Sequence, residues 1–335
     1  MSHLLVSILT PFKNTASYLP ACLNSILDQS YANWELIIIN DSSTDNSFDI
    51  VKSFAQNNER IKLYNNPHQG IISALQFAYA NSKGQLITRM DSDDIMAKNK
   101  LETMVNALTL YGKGHIALGK VTYFSHTKIS AGYIQYQKWL NALTEKGNNF
   151  NEIYKECVIA SPCWMVYRED LENCGAFNYE NYPEDYDLTF RFYKQGLKCI
   201  PSDTVLHYWR DYETRTSKTQ SAYALEAFVK LKTMYFIEID HNNLRPLVIW
   251  GAGYKGKIVA KELLDKEIPF YWISENPNKS KKLIYGQKLR SLETFNELIN
   301  PQSIITFSNE NSQKQLHKFF NDRNMIELKD YFMFC

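Results

Sequence analysis

Asp91, Asp93 and Asp94 put three carboxylates within four residues, directly after the apolar run Gln85–Thr88. Carboxylates repel one another and are seldom buried unless paired or bound to a metal. Hard oxygen ligands at the end of a strand suit Mg²⁺ or Mn²⁺, which usually share carboxylates with substrate phosphates. The competing reading is a polar turn that caps the next helix. Taken alone, the two readings are even. Asp41, in Asn40-Asp41-Ser42-Ser43-Thr44-Asp45, poses the same choice between a ligand-facing acid and a turn, with Asp45 the plainer cap. Near the other end of the chain, Gly251, Gly253 and Gly256 form a complete G-x-G-x-x-G.

The elements around these residues favour a site. Leu4–Leu9 is expected as a strand stopped by Pro11, Trp34–Ile39 as a second, Ile61–Tyr64 as a third and Gln85–Met90 as a fourth. Helical spacing is expected between them over 17–30, after Asp45 (Phe48, Val51 and Phe54 on one face) and over 70–81. Strands alternating with helices imply an α/β fold with a mainly parallel sheet covered on both faces. Ligands of such sheets bind beyond the carboxyl ends of the strands. Thr10-Pro11, Asp41 and Asp91–Asp94 all fall there, so three polar strand ends are expected to converge on one crevice.

From about 100 to 210 the pattern is irregular. Lys120–Phe124, Cys163–Tyr167 and Val205–Trp209 are strand candidates, and 133–146 and 184–195 are candidate helices. A long helix is expected over 219–240. The chain then divides into a first domain at 1–215, a helical linker at 216–245 and a second α/β domain at 246–335.

Composition limits the function classes. The formal net charge of the 335 residues is +1, so no global field recruits nucleic acid or an anionic membrane. The six cysteines include no C-x-x-C pair, which argues against a zinc or redox motif and fits a reducing cytoplasm. No signal peptide is evident, and no apolar stretch is long enough to span a bilayer. Peripheral attachment at the inner face of the membrane and homo-oligomerisation both stay open. The 22 Tyr, 18 Phe and 6 Trp supply core, with some able to stack on a sugar or base.

The segments Val6–Asn14, Trp34–Asp45, Arg89–Asp94 and Tyr182–Leu188, in that order, resemble the motifs of a family 2 glycosyltransferase over residues 1–215. The resemblance implies the GT-A fold, a nucleotide-diphosphate sugar as donor (a UDP-sugar is the expectation), inversion at the anomeric carbon, and Mn²⁺ or Mg²⁺. It implies a hydroxyl acceptor on a surface glycan or lipid-linked glycan, in polysaccharide biosynthesis. By position, Thr10, Pro11 and Asp41 would hold the nucleoside, and Asp91 the ribose or a metal-bound water. Asp93 would ligate the metal, Asp185 would be the general base, and Arg210 would approach the diphosphate. The residue types suit the chemistry. A leaving diphosphate needs its charge neutralised, and a carboxylate across the sugar must take the acceptor's proton, a step worth ~10²–10⁴-fold.

Asp185 also has a plainer reading, as an acid complementing a helix N-terminus. Asp94 is read as a helix cap in preference to a second metal ligand, and His207 as a packed or surface histidine in preference to a ligand. Two departures from the family stand out. The arginine common on the helix after the third strand is absent from Ile72–Gln76, and Tyr212 stands where a histidine often follows the late arginine. They lend support to an alternative, a non-catalytic nucleotide-sugar-binding scaffold.

The glycine motif follows a predicted strand and opens a predicted helix, with the acid Glu275 19 residues beyond Gly256, the context a dinucleotide fingerprint requires. Fewer than a hundred residues remain, enough for half a Rossmann fold. The segment resembles small Rossmann-like domains attached to some sugar-modifying enzymes. Its functional reading is nucleotide binding by Gly251, Gly253, Gly256 and Glu275, which would also allow a nicotinamide-dependent oxidoreductase. The other reading, a domain that packs or docks a partner, is preferred.

Overall fold

The computed structural model describes residues 4–178, 180–215, 218, 221–274 and 283–335. Two compact units emerge, one of residues 1–150 with 158–218, the other of 151–157 with 219–335.

The first unit begins with three strand–helix repeats. Strand β1 (Val6–Phe12) leads to helix α1 (Leu19–Leu27), β2 (Trp34–Asn40) to α2 (Ser47–Asn57), and β3 (Ile61–Asn65) to α3 (Ile71–Ala80). Then come β4 (Leu86–Arg89), β5 (Ile95–Met96), α4 (Lys100–Tyr111), β6 (His115–Leu118), β7 (Lys120–Phe124) and α5 (Ala131–Lys146). The unit closes with β8 (Trp164–Tyr167), α6 (Arg168–Asn173), α7 (Glu184–Lys194), β9 (Lys198–Ile200) and β10 (Val205–Arg210). The main sheet runs β3-β2-β1-β4-β8-β6-β9, and a second small sheet runs β5-β10-β7. β1 pairs in parallel with β2 and β4, whereas β8 is antiparallel to both β4 and β6. Every residue of β1, β2 and β4 is buried, as continuous apolar strands covered on both faces must be.

Pro11 does not stop β1, contrary to expectation; the strand continues to Phe12, opposite Asn40. The reason lies in the ladder. The Leu9 carbonyl accepts from Met90 on the β4 side, and the Phe12 carbonyl accepts from Asp41 on the β2 side. Pro11 therefore turns its missing N–H toward the β4 side, where pairing has already ended at Arg89. Thr10 and Pro11 thus lie within the strand, not beyond its end as expected.

Helix α7 opens with Glu184, Asp185 and Asp187 and ends with Arg191 and Lys194, the charge order the helix dipole favours. Asp187 faces inward. It accepts from Arg191 Nε at 2.8 Å and Asn181 Nδ2 at 2.9 Å, while Arg191 Nη1 donates to the carbonyls of Cys174 and Ala176. This buried network fixes the rotation of the helix.

The second unit holds β11 (Leu247–Trp250), β12 (Tyr271–Ile273), β13 (Leu283–Ile284), β14 (Gln287–Arg290), β15 (Gln302–Ile305) and β16 (Tyr331–Met333), ordered β13-β14-β12-β11-β15-β16. All pairings are parallel except β13 with β14. Its helices are α8 (Leu225–Tyr235), α9 (Tyr254–Asp265), α10 (Leu292–Asn296) and α11 (Glu310–Asn321). Helix α8 packs on α9, so part of the stretch expected to be a linker belongs to this unit's own packing. A π-helical turn at Phe236–Asp240 follows α8. The Tyr154 ring stacks on Phe334 at 5.3 Å and its hydroxyl donates to Asp240 at 2.6 Å, which ties the 151–157 segment in.

Candidate active site at the strand ends of the first unit

The carboxyl ends of β1, β2 and β4 meet the start of α7. Asp41, just past β2, has Oδ1 accepting from Asn66 Nδ2 at 2.8 Å and from the Gly70 amide at 2.9 Å. Its Oδ2 lies 3.8 Å from Lys13 Nζ. Gly70 has φ of 99°, and a Cβ there would stand 3.7 Å from Tyr182 Oη, so the segment leading into α7 lies over this corner. Thr10 is fully buried and its Oγ1 has no hydrogen-bond partner among the described residues. Asp45 accepts from the amides of Ala16 and Ser47 and so serves the start of α2, as expected of a cap.

Arg89, the last residue of β4, ties the acidic loop to α7. Its Nε donates to Asp91 Oδ1 at 2.9 Å and its Nη1 to Glu184 Oε1 at 3.0 Å, with the guanidinium 7% exposed. A guanidinium cannot shed its charge and must be paired when buried, and its planar fork suits two carboxylates. The loop is further held by Ser92 Oγ against Thr15 Oγ1 at 3.1 Å and by Cys22 Sγ on the Asp91 carbonyl at 3.6 Å. Burial, followed by the charge of Glu184, pushes the Asp185 carboxyl up to about 7 against the pull of Arg89.

Asp93 accepts from Tyr212 Oη at 2.8 Å through Oδ2, and its carbonyl accepts from Arg210 Nε at 2.6 Å. Burial, with Asp94 and Asp91 close by, raises its carboxyl to about 7. The Arg210 guanidinium sits over the rings of Tyr18 and Phe124, at 4.7 and 4.4 Å. It braces the acidic loop through the Asp93 carbonyl. Burial works against the charge of Arg215, but Asp94, Asp93 and Asp91 more than offset that and raise its pKa. Arg215 is thus a second cation facing the same carboxylates.

Asp94 departs from expectation. It caps no helix, since α4 begins after Asn99, and its side chain is 1% exposed. Its Oδ1 accepts from the Arg210 amide at 2.7 Å and its Oδ2 from His207 Nε2 at 2.8 Å. His207 is fully buried, with Nδ1 3.3 Å from Lys100 Nζ, which also donates to the Pro162 carbonyl. With the lysine donating to Nδ1, the imidazole proton sits on Nε2 and points at Asp94. Burial, then Lys100, lowers the His207 pKa and keeps the ring neutral. The histidine is packed and bonded, so it is not available to a metal.

Among the described residues, no group of three His, Cys, Asp or Glu is arranged to hold a metal ion. The donor set that is present, Asp93 with the partly exposed Asp91, nevertheless fits a divalent cation of the Mg²⁺ or Mn²⁺ kind. Such ions take one or two carboxylates and complete their shell with water and substrate phosphates. After burial, the nearby charges of Asp94 and Asp91 raise the Asp93 pKa, so added positive charge is favoured beside them.

Several site residues carried no assigned role in the sequence: Arg89, Glu184, Asn66 and Arg215. Arg89 had a readable signal, a charge at the buried end of an apolar strand. Asn66 and Arg215 act across 25 or more residues of chain and leave no local pattern. Glu275 lies outside the described residues.

The profile of Glycosyl transferase family 2 matches residues 7–175, half of the chain. The Escherichia coli UDP-Glc:alpha-D-GlcNAc-diphosphoundecaprenol beta-1,3-glucosyltransferase WfgD is 31% identical over 199 residues, 58% of this chain and 72% of that protein. Against three other curated glycosyltransferase relatives, the alignments span only 30, 43 and 34% of the relatives' length. Among solved structures, S. aureus TarS 1-349 in complex with UDP-GlcNAc has a TM-score of 0.56 at 18% identity, covering 77% of this chain and 71% of that one. The Pyrobaculum calidifontis mannosyltransferase PcManGT, in complex with GDP-Man and Mn²⁺, has a TM-score of 0.50 at 17% identity, covering 77% and 69%. The shared fold is GT-A. No helix among the described residues is long and apolar enough to cross a membrane.

Proposed function

Because the chain belongs to glycosyl transferase family 2, we propose that it transfers a sugar from a nucleotide-diphosphate donor to a hydroxyl acceptor in polysaccharide synthesis, with inversion at the anomeric carbon. The donor is a UDP-sugar and the acceptor a glycan or lipid-linked glycan. The observation that carries the proposal is the Arg89 bridge. One guanidinium holds Asp91, two residues from Asp93, at 2.9 Å and Glu184, beside Asp185, at 3.0 Å, so the acidic loop and the start of α7 lie next to each other.

In this reading Asp41 holds the base, with Oδ1 fixed by Asn66 and Gly70 and Oδ2 turned toward Lys13 and the ligand. Thr10 Oγ1, buried and unpartnered, gains a partner from the nucleoside. Asp91 and Asp93 would hold a divalent cation, which when bound supplies Lewis-acid neutralisation of the leaving diphosphate. Arg215 adds fixed positive charge to the same wall. Asp185, in its ionised form, accepts the acceptor's hydroxyl proton at a carboxylate oxygen as the new glycosidic bond forms. The oxygen of the departing diphosphate retains the electron pair of the bond that breaks. A base with pKa near 7 is matched to that task near neutral pH.

The test is a panel of nucleotide sugars with and without Mn²⁺, read by thermal shift and by product formation with glycan and lipid-linked acceptors. A ligand that binds only the folded state raises its stability. The expected result is a metal-dependent shift with a UDP-sugar, lost in Asp93→Ala, and transfer lost in Asp185→Asn with donor binding intact. Metal-dependent binding unchanged in Asp93→Ala, or full transfer by Asp185→Asn, would remove those assignments.

A further inference from the structure

In the second unit the carboxyl ends of β11, β12 and β15 enclose a cavity of about 290 Å³, lined by Trp250, Ile273, Leu292, Phe307, Gln315 and Phe319. The five parallel strands lie in the chain order third, second, first, fourth, fifth. From β11 the chain therefore builds first to one side, through β12, and later to the other, through β15. The cavity sits at that reversal, where open α/β sheets take their ligands. Its volume lies just below the ~300–1,000 Å³ usual for small-molecule pockets. That suits one nucleoside, not a dinucleotide. Aromatic walls, with Ser274, Ser312 and the Gln315 amide among the lining, suit a flat heterocycle that stacks and makes a few hydrogen bonds.

The glycine turn beside the cavity shows what one of its residues is for. Gly251 needs its φ of +97°, and its carbonyl is held by Trp272 Nε1 at 2.9 Å and Thr306 Oγ1 at 3.2 Å. Gly256 is required by packing, since a Cβ there would stand 2.1 Å from the Gly251 carbonyl oxygen. Gly253 is different. Its φ of −82° suits any residue, and nothing lies within 4 Å of where its Cβ would be. The fold does not ask for glycine there. A ligand that approaches the backbone does, at the start of a twelve-residue helix whose first turn has no side-chain cap.

We propose that the second unit binds a mononucleotide, with its base in the cavity behind Gly251 and its phosphate over Gly253 at the start of α9. The packing role preferred from the sequence accounts for Gly251 and Gly256 but leaves both Gly253 and the cavity without a purpose.

The test is hydrogen–deuterium exchange on the full chain without divalent cation, with AMP, UMP, CMP and GMP each at millimolar concentration. At least one is expected to slow exchange in peptides covering residues 250–258 and 303–319. Gly253→Asp is expected to fold at least as well, because Asp outranks Gly at helix N-caps. It should weaken the binding about tenfold or more, through repulsion of the phosphate by the new carboxylate. Gln315→Trp, at an exposed rim position, should weaken it by filling the cavity, and serves should Gly253→Asp melt lower than the parent. Unslowed exchange in those peptides with all four nucleotides, or a response undiminished in both variants, would overturn the proposal. Exchange in peptides around Asp41 and Asp93 on adding UDP with Mn²⁺ reads the first unit's site separately, so failure at one site is distinguishable from failure at the other.

Discussion

Tyr212 Oη donates to Asp93 Oδ2 at 2.8 Å, and the Tyr212 ring lies against Tyr18 at 4.9 Å. The hydroxyl is thus held from behind and fixes one carboxylate oxygen, which in the proposed reading leaves the other for the cation. A group that orients a metal ligand typically accounts for ~10–100-fold in metal affinity. Tyr212→Phe keeps the ring contact and removes only the donor. It is expected to weaken the Mn²⁺ dependence of donor binding by about tenfold, measured as the half-saturating Mn²⁺ concentration at fixed UDP-sugar, with little change in melting temperature.

Asp185 ties activity and stability to pH with opposite signs. Burial and Glu184 raise its folded pKa to about 7, above the unfolded value of about 3.9. The folded state therefore binds the proton more tightly, and this group's contribution to stability is complete below about pH 4 and is lost as pH rises through 7. In the proposed mechanism transfer needs the ionised form, so with Mn²⁺ saturating kcat/KM should rise as pH passes through about 7. Asp185→Asn should melt higher than the parent at pH 8, with the gap narrowing by pH 5 and closing only near pH 4, while transfer is abolished throughout. Equal melting temperatures at pH 8 would show that the carboxyl is not strained there.

Arg89 supports two carboxylates at once. Its loss would take one cation away from both Asp91 and Glu184 in a largely buried setting, a change that typically costs ~3–5 kcal/mol. Arg89→Met should lower stability by about that much and also abolish transfer. Adding Glu184→Gln should recover part of the stability and none of the activity, and the coupling is read from the double-mutant cycle by denaturant unfolding. Simple additivity of the two changes would mean that the bridge carries no joint energy.

The first half of the fold was legible because each element there writes its own local pattern. The apolar runs at Val6–Leu9 and Trp34–Ile39 are buried on both faces, and the spacing of Leu19, Cys22, Leu23 and Ile26 marks the buried side of α1. The short strands β6 and β9 were not legible. With four and three residues they carry too little periodicity, and only their pairing with each other and with β8 makes them strands. In the site, Asp41, Asp91 and Asp185 stand at strand ends or a helix start, where position implies exposure to a crevice. The misreading of Asp94 has a clear cause. Adjacent acids look equivalent in sequence, yet here they lie in a turn, with the Asp94 amide donating to the Asp91 carbonyl, that sends Asp93 to Tyr212 and Asp94 to other partners. Asp94 is directed at His207 and the Arg210 amide, more than a hundred residues away in the chain. Pro11 misled for a related reason, because whether a proline breaks a strand depends on which neighbour its nitrogen faces, and that neighbour, β4, lies far along the chain.

The Asp94–His207–Lys100 series gives a last prediction, one that distinguishes a structural histidine from a metal ligand. All three side chains are buried, with His207 donating through Nε2 at 2.8 Å and receiving through Nδ1 at 3.3 Å. Replacing the ring with leucine leaves a buried carboxyl and a buried amine each short of a partner, a loss of ~3 kcal/mol or more by the usual cost of unpaired buried groups. Because Asp94 also fixes the Arg210 amide, that damage would reach the acidic loop. His207→Gln can keep one donor and one acceptor and should recover much of the stability. If the histidine is a structural link, the glutamine variant also retains near-parental Mn²⁺ dependence of donor binding. A variant that is stable yet loses its Mn²⁺ response by a hundredfold or so would instead make the imidazole part of the metal's own shell, since a lost ligand costs more than a lost orienting contact.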